Sequence, residues 1–280
     1  MIFKDKTVII TGGSEGVGAA TARLFADAGA NLMLVARGKK KLEAIAEELR
    51  DKAHVEIFAM DVSDGDACVD VFKKARFEFG RVDILINNAG YNARGKVEAV
   101  EPDELARMVD VNLRAPIVLS RIALPYLEEA GGGAIINVGS LSARVTYPGA
   151  ATYAATKAGL RSFTLSLTDE CQGSKIKIAI VSPGPISTAF ILEDMDQVSD
   201  LTFSQPMSTA EEVAQTVLDL CGNNVREHAM PASSGLLTTI VGLMPWLGRL
   251  LRPSLERKGQ RVKKKLKAEA RAKRETEKQG

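Results

Sequence analysis

Short apolar runs rich in β-branched residues recur along this chain, and stretches of helical periodicity separate them. Thr7–Thr11 (TVIIT), Asn31–Ala36 (NLMLVA), Val55–Met60 (VEIFAM), Val82–Ile86 (VDILI), Gly133–Val138 (GAIINV) and Lys175–Val181 (KIKIAIV) each read as a strand buried on both faces. A last strand is expected near Glu227–Ala232. Between them, one helix follows the first strand and ends near Gly29. A second spans Lys39–Lys52, with Leu42, Ile45, Ala46 and Leu49 on its inner stripe, and a third spans Ala67–Phe79, with Val69, Phe72 and Phe79 inward. Pro102 opens a long helix that carries Asp110-Val111-Asn112, and Tyr153–Cys171 reads as another. Strands and helices alternating at this spacing predict an α/β fold: a doubly wound parallel sheet with helices on both faces. Ligands bind such sheets beyond the carboxyl ends of the strands. The glycine-rich loop after the first strand, Arg37, Asp61, Asn87, Ser140 and Pro183 all follow strands, so all six point to one rim.

The residues on that rim have chemistry to offer. Gly12-Gly13-Ser14-Glu15-Gly16-Val17-Gly18 lies between a strand and a helix, where glycine permits a tight turn and unpaired helix amides attract a diphosphate. Arg37 closes the second strand where an acid would hold a ribose 2′-hydroxyl; arginine, followed by Lys39, Lys40 and Lys41, suits a 2′-phosphate instead. NADP(H) is therefore favoured over NAD(H), although Glu15 would repel that phosphate if it faced the same spot. Tyr153 and Lys157 are four residues apart on a helix and share a face. A tyrosine of ordinary pKa, about 10, is a poor acid–base group at neutral pH, and a neighbouring ammonium is expected to lower it.

In combination these residues resemble the short-chain dehydrogenase/reductase family. The matching motifs are T-G-x-x-x-G-x-G at 11–18, Asp61-Val62, N-N-A-G at 87–90, Asn112, Ser140 placed 13 residues before Tyr153, Y-x-x-x-K at 153–157, and Pro183-Gly184 followed by Thr188. They cover roughly residues 5–225 in order. The resemblance implies a Rossmann-type fold and assigns roles. Tyr153 is the acid–base residue. Lys157 lowers its pKa and bonds the nicotinamide ribose, and Ser140 donates to the substrate oxygen. Asn112 holds a water that links Lys157 to solvent. Gly12, Gly16 and Gly18 face the diphosphate, with Ser14 and Val17 beside them. Asp61 and Val62 face the adenine, and Thr188 the nicotinamide amide. Asn88, Ala89, Gly90, Pro183, Gly184 and Ile186 complete the cofactor contacts, and Asn87 supports the strand ends. Gly139 stands where a second serine is frequent, Ser142 competes for the role of Ser140, and Glu15 stands where a basic residue is common among NADP users. The expected reaction is reduction of a ketone to a secondary alcohol; the alternatives are an NAD-dependent alcohol dehydrogenase and a non-catalytic scaffold. The family also implies a homodimer or homotetramer, formed through the helices around Leu105–Leu127 and Tyr153–Cys171.

Composition changes this picture at the C-terminus. The chain has 280 residues and a net charge of +2, but residues 249–280 hold 13 Lys/Arg against four Glu, so a basic tail follows an acidic body. Residues 1–232 are read as the dinucleotide-binding domain and 233–280 as an extension, apolar and then basic. Leu236–Leu251 (LLTTIVGLMPWLGRLL) is too short for a transmembrane helix and is interrupted by Pro245 and Arg249. With Trp246 beside a polybasic run, it suits the interface of an anionic membrane. The alternative is that the apolar part packs on its own body or on a second copy while the basic part is solvated. Nucleic acid is not expected, because the tail lacks interleaved aromatics. The hydrophobic extension, with LVAR at 34–37, is similar to reductases of 3-keto sphingoid bases, which implies an apolar or lipid-like carbonyl or alcohol substrate. The residues between Pro183 and Pro206 are expected to form a lid, with Phe190, Ile191, Leu192, Leu201 and Phe203 making its wall apolar. Three scattered cysteines and two isolated histidines give no metal site. The first ten residues run straight into a strand pattern without a charged-then-apolar leader, so a cytoplasmic protein is expected, with attachment to the inner face of a membrane open to the tail.

Overall fold

The structure is a computed structural model, in which residues 3–192 and 195–279 are described, with side chains to residue 268. In chain order the elements are β1 (Thr7–Thr11), α1 (Gly16–Asp27), β2 (Asn31–Ala36), α2 (Lys39–Leu49), β3 (Val55–Ala59), α3 (Gly65–Phe79) and β4 (Ile84–Asn87). They continue with α4 (Pro102–Val109), α5 (Ala115–Glu129), β5 (Gly133–Val138), α6 (Ala151–Glu170), β6 (Ile176–Pro183), α7 (Ala189–Leu192) and α8 (Asp200–Phe203). The chain closes with α9 (Ala210–Gly222), β7 (Glu227–Met230), α10 (Ala232–Leu243) and α11 (Pro245–Gln279).

The seven strands form one sheet in the order β3-β2-β1-β4-β5-β6-β7, and every neighbouring pair is parallel. Strand order reverses between β1 and β4, the switch point at which such sheets open a crevice. Successive side chains on a strand face opposite ways, so each strand serves two cores. Ile10, Leu32, Leu34 and Ile136 pack under α1, α2 and α9 with Phe25 and Val213, whereas Ile9, Met33, Leu85 and Ile135 pack under α3 and α5 with Phe72 and Leu119.

Three local features differ from the sequence expectation. Val69 is exposed at 37%, and the buried stripe of α3 is Cys68, Val71, Phe72 and Ala75. Asp64 caps this helix by accepting from the amides of Asp66 and Ala67, and the 3.6-residue period then turns Val69 outward. The fourth strand begins at Ile84 because Asp83 is spent on charge: it takes Lys6 at 2.9 Å, Arg81 at 2.5 Å and the Thr7 amide at 3.0 Å. The helix opened by Pro102 is interrupted by a π-helical turn at Asp110–Arg114, a departure that often marks a functional site.

Helices α10 and α11 lie on the rest of the molecule. Gly259 of α11 meets α8 backbone to backbone, since a Cβ there would fall 1.7 Å from the Asp200 carbonyl oxygen. Val262 and Leu266 pack beside Ile191, Val198 and Phe203, and Lys263 donates to the Val198 carbonyl at 2.8 Å and pairs with Asp200 at 3.2 Å. Among the described residues no helix is long and apolar enough to cross a membrane.

Candidate active site

A cavity of about 1270 Å³ opens at the carboxyl rim of the sheet, beside the β1/β4 switch point. Its floor at one end is the turn between β1 and α1. Gly12 has φ +67°, and a Cβ on it would lie 2.7 Å from the Asn88 amide nitrogen. Gly18 is pressed against the same turn, where a Cβ would lie 2.1 Å from the Gly12 carbonyl oxygen. Gly18 therefore does not line the cavity; it lets α1 close onto the loop. Gly12, Ser14, Gly16 and Val17 do line it. The Asn88 side chain ties this loop down by donating to the carbonyls of Thr11 at 2.9 Å and Gly12 at 3.2 Å. No side chain caps the N-terminus of α1, so its first amides remain available to an anion.

Of the four cations noted after β2, two reach the cavity and Lys39 and Lys40 do not. Arg37 and Lys41 line the cavity with Asp61 and Val62. Glu15 pairs with Lys41 at 2.5 Å, so the acid in the loop carries its own counter-charge. Burial alone would raise the pKa of Asp61, but hydrogen bonds from Ser63 and the charges of Arg107 and Arg37 outweigh it and hold the carboxyl below its usual range. Across the cavity, Thr188 faces the loop: a Cβ on Gly16 would lie 3.7 Å from its methyl group. Ala89, Gly90, Pro183, Gly184 and Ile186 line the passage between them. A turn that only glycine fits, open helix amides and flanking cations make a cradle that fits the diphosphate and phosphorylated ribose of a dinucleotide.

The cradle leads to Ser140, Tyr153 and Lys157, which line the same cavity. Ser140 leaves β5 extended, and its oxygen accepts from the Ser142 amide at 3.1 Å. Ser140 stands near enough to Tyr153 to favour its ionised form. Burial, with Tyr147 nearby, pushes the Tyr153 phenol up to about 12, against the lowering effects of Ser140 and Arg94. This reverses the expected lowering by Lys157. The lysine nitrogen lies 5.9 Å from the Tyr153 ring centre and donates at 2.9 Å to the Val138 carbonyl, and burial brings its own pKa down to about 8. Ser142, the competing serine, shares a 2.9 Å hydrogen bond with Tyr147 instead.

Two expected residues stand behind the cavity wall. Asn112 is buried in the π-helical turn, where its amide accepts from Tyr91 N at 2.9 Å and donates to Tyr91 O at 2.8 Å and to Thr156 at 3.4 Å. It positions the chain after β4. Asn87 donates to Asn137 at 2.9 Å, and Asn137 to Thr164 at 2.8 Å, a buried chain that joins β4 and β5 to α6. This matches its expected supporting role.

The far end of the cavity is built largely from residues without an earlier assignment. Arg94 hydrogen-bonds the Phe190 carbonyl and lies over the Phe190 ring at 5.0 Å, joining the chain after β4 to the lid. Phe190, Ile191 and Leu201 line the cavity as expected, whereas Leu192 and Phe203 do not. Phe203 is buried beneath Lys263 of α11, which lies 5.7 Å from its ring centre. The opposite wall comes from the C-terminal extension: Leu237 and Val241 of α10 and Leu251 and Leu255 of α11. Arg144, another lining residue, pairs with Glu227 at 2.6 Å; Arg161 holds the same carboxylate at 2.7 Å. Burial alone would raise the pKa of Glu227, but these two arginines lower it.

A dinucleotide cradle that runs into a tyrosine–lysine–serine set, its lysine and serine buried, defines a class: an oxidoreductase that works with a nicotinamide cofactor. Comparison narrows the class. A family model described as short chain dehydrogenase matches residues 6–198. An uncharacterized oxidoreductase of Staphylococcus saprophyticus is 38% identical over 204 residues, which cover 72% of this chain and 81% of the relative. Sulfoacetaldehyde reductase 2 of Chromohalobacter salexigens is 37% identical over 187 residues, 66% of this chain and 74% of the relative. Among solved structures, a short chain dehydrogenase of Burkholderia cenocepacia in complex with NADP superposes with a TM-score of 0.74 at 28% identity, covering 81% of this chain and 96% of the other. Levodione reductase superposes at 0.76 and 27% identity, covering 84% and 99%. The chain belongs to the short-chain dehydrogenase/reductase family and is an NAD(P)-dependent oxidoreductase.

Proposed function

We propose that this protein reduces a ketone to a secondary alcohol with NADPH, and that the ketone sits on an apolar, lipid-like body. The observation that carries the proposal is the shared cavity: cradle, Ser140, Tyr153, Lys157 and an apolar C-terminal wall line one space. The reduced nicotinamide, when bound, supplies the hydride to the carbonyl carbon. Tyr153, a neutral phenol at pH 7, gives its proton to the carbonyl oxygen, the form that reduction needs. Ser140 donates a hydrogen bond to that oxygen as charge gathers on it. Lys157 stabilises the phenolate left behind, and a water chain past Asn112 returns the proton.

Arg37 supports a preference for the 2′-phosphate, and the pairing of Glu15 with Lys41 offsets the charge of the loop acid. Leu236 and Leu243 of α10 and Trp246 and Leu250 of α11 are 65%, 79%, 56% and 68% exposed and do not line the cavity. With the basic run that begins at Arg257 further along α11, they suit docking on the inner face of an anionic membrane. The partly buried Val118, Ile122 and Phe163 of α5 and α6 suit assembly into a dimer or tetramer.

The experiment is NADPH consumption with ketones that differ only in chain length, with and without anionic liposomes, and with Tyr153→Phe as control. Activity that rises with chain length and vanishes in the variant supports the reading; activity confined to short ketones overturns the lipid-like substrate. Absence of turnover, with NADPH still bound, overturns the reductase reading.

A further inference from the structure

The substrate half of the cavity is lined by four arginines, Arg94, Arg144, Arg249 and Arg252, and among the described residues by no carboxylate. The two acids that line the cavity, Glu15 and Asp61, lie at the nucleotide end, paired with Lys41 and Arg107. Arg94 and Arg144 are structural ties, one to the lid and one to Glu227. The other two belong to α11 and are differently placed. Arg252 makes a long hydrogen bond, 3.4 Å, to the Thr146 carbonyl, in the loop between Ser140 and Tyr153. Arg249 has no hydrogen bond or ion pair among the described residues. Both occupy the helix face that also turns Gly248, Leu251 and Leu255 to the cavity. Lys263 and Lys267 of α11 bond the lid at Val198, Asp200 and Asp196, whereas Arg249 and Arg252 stand over an apolar wall.

We propose that Arg249 and Arg252 hold the acidic head of an amphipathic substrate, a carboxylate, sulfonate or phosphate joined through an apolar chain to the reacting carbonyl. This rests on the carbonyl-reductase reading of the same cavity. A guanidinium offers paired donors that match two oxygens of such a group; Arg252 is half-buried, which strengthens its pairing, while Arg249 is exposed at the cavity mouth. A neutral analogue would leave the arginines without an anionic partner, so discrimination of about tenfold or more is expected.

The test uses ketones matched in chain length that end in a carboxylate, a sulfonate, a phosphate, a methyl ester or an ammonium group. The kcat/KM of each is measured for the wild type, Arg249→Gln, Arg252→Gln and the double variant. The expected result is a preference of about tenfold or more for an acid over the ester, narrowing in each variant and lost in the double variant, with the favoured acid identifying the head group. Equal values for acids and ester in the wild type, or a preference that survives the double change, overturns the proposal. A second measurement does not depend on turnover. Calorimetric titration with decanoate, decyl sulfonate and decyl phosphate, in the presence of NADPH, is expected to show binding of at least one acid, weakened about tenfold by the double variant. Binding of none, or binding unaffected by the variant, overturns the subsite. Absence of turnover with any ketone, beside acid binding that needs the arginines, overturns the reductase reading and leaves the subsite standing.

Discussion

Lys41 Nζ lies 2.5 Å from the Glu15 carboxylate, so the residue that precedes α1 and the first turn of α2 neutralise each other at the mouth of the nucleotide cradle. The pair leaves Arg37 as the cation that closes β2. Arg37→Asp is expected to move the ratio of kcat/KM for NADPH over NADH by about tenfold or more toward NADH, because a carboxylate repels a phosphate and accepts from a ribose hydroxyl. Kinetics with both cofactors at subsaturating levels checks this. A ratio that stays put removes Arg37 from discrimination.

The buried Lys157 sets stability against function. Its folded pKa, about 8, lies below the ordinary 10.5, so the unfolded chain binds more protons between these values. Stability from this group therefore rises with pH across that window, and the penalty for burying its charge is fully present below pH 8. Lys157→Met removes that penalty, about 3 kcal/mol, and loses a hydrogen bond to Val138 O worth about 1 kcal/mol. The variant is expected to unfold at higher urea than the wild type at pH 7 while losing carbonyl reduction. The wild-type reduction rate should fall as pH rises through about 8, as Lys157 loses the charge that stabilises the Tyr153 phenolate. Urea melts and a pH–rate profile read the two outcomes separately.

Gly259 is where α11 meets the lid, with Asp200 O and Ser204 N both within reach of any added side chain. Gly259→Val forces the two backbones apart and strips Val262 and Leu266 from Ile191 and Phe203. The expected result is a raised KM for long-chain ketones, a smaller change for short ones, and a stability loss of about 1–3 kcal/mol from overpacking. Chain-length kinetics beside thermal melts checks it; equal KM changes for short and long ketones would detach α11 from the substrate wall.

The strands were legible because a continuous β-branched run has few other fates: the limits of β1, β2 and β5 in the structure are those the sequence pattern predicts. Ser140, Tyr153 and Lys157 were legible because strand ends and an i, i+4 helical pair place them without tertiary information. The C-terminal wall was not. Leu236–Leu251 reads as one apolar run, yet it folds into two helices broken at Met244, and Leu237, Val241 and Leu251 line a cavity whose other walls come from earlier chain. Periodicity reports that a face is apolar and is silent on what it meets. The available signal was glycine: Gly242, Gly248 and Gly259 sit in helices, where alanine is cheaper, and each touches another element or helix. The direction of the Tyr153 shift was also hidden, because spacing shows that Lys157 is near but not how deeply both groups are buried.

Glu227 joins the last strand to the catalytic region through Arg144, 2.6 Å away, and Arg161, 2.7 Å away. The carboxylate and Arg144 are 14% and 15% exposed, so little water is at hand to replace a lost partner. Glu227→Gln keeps the shape and removes the charge, leaving two guanidiniums without their counter-ion at a cost of about 3 kcal/mol at pH 7. The Arg144 side chain lines the cavity, so a raised KM for the ketone is expected with it. The pH dependence distinguishes this from a packing defect. The folded pKa of Glu227 is depressed, so its contribution is present above the unfolded value near 4.5 and is lost as pH falls through the folded one. The gap in urea midpoint between wild type and Glu227→Gln should therefore be widest at neutral pH and close in acid. A gap of constant size from pH 7 to pH 3 would assign the loss to packing rather than to the charge.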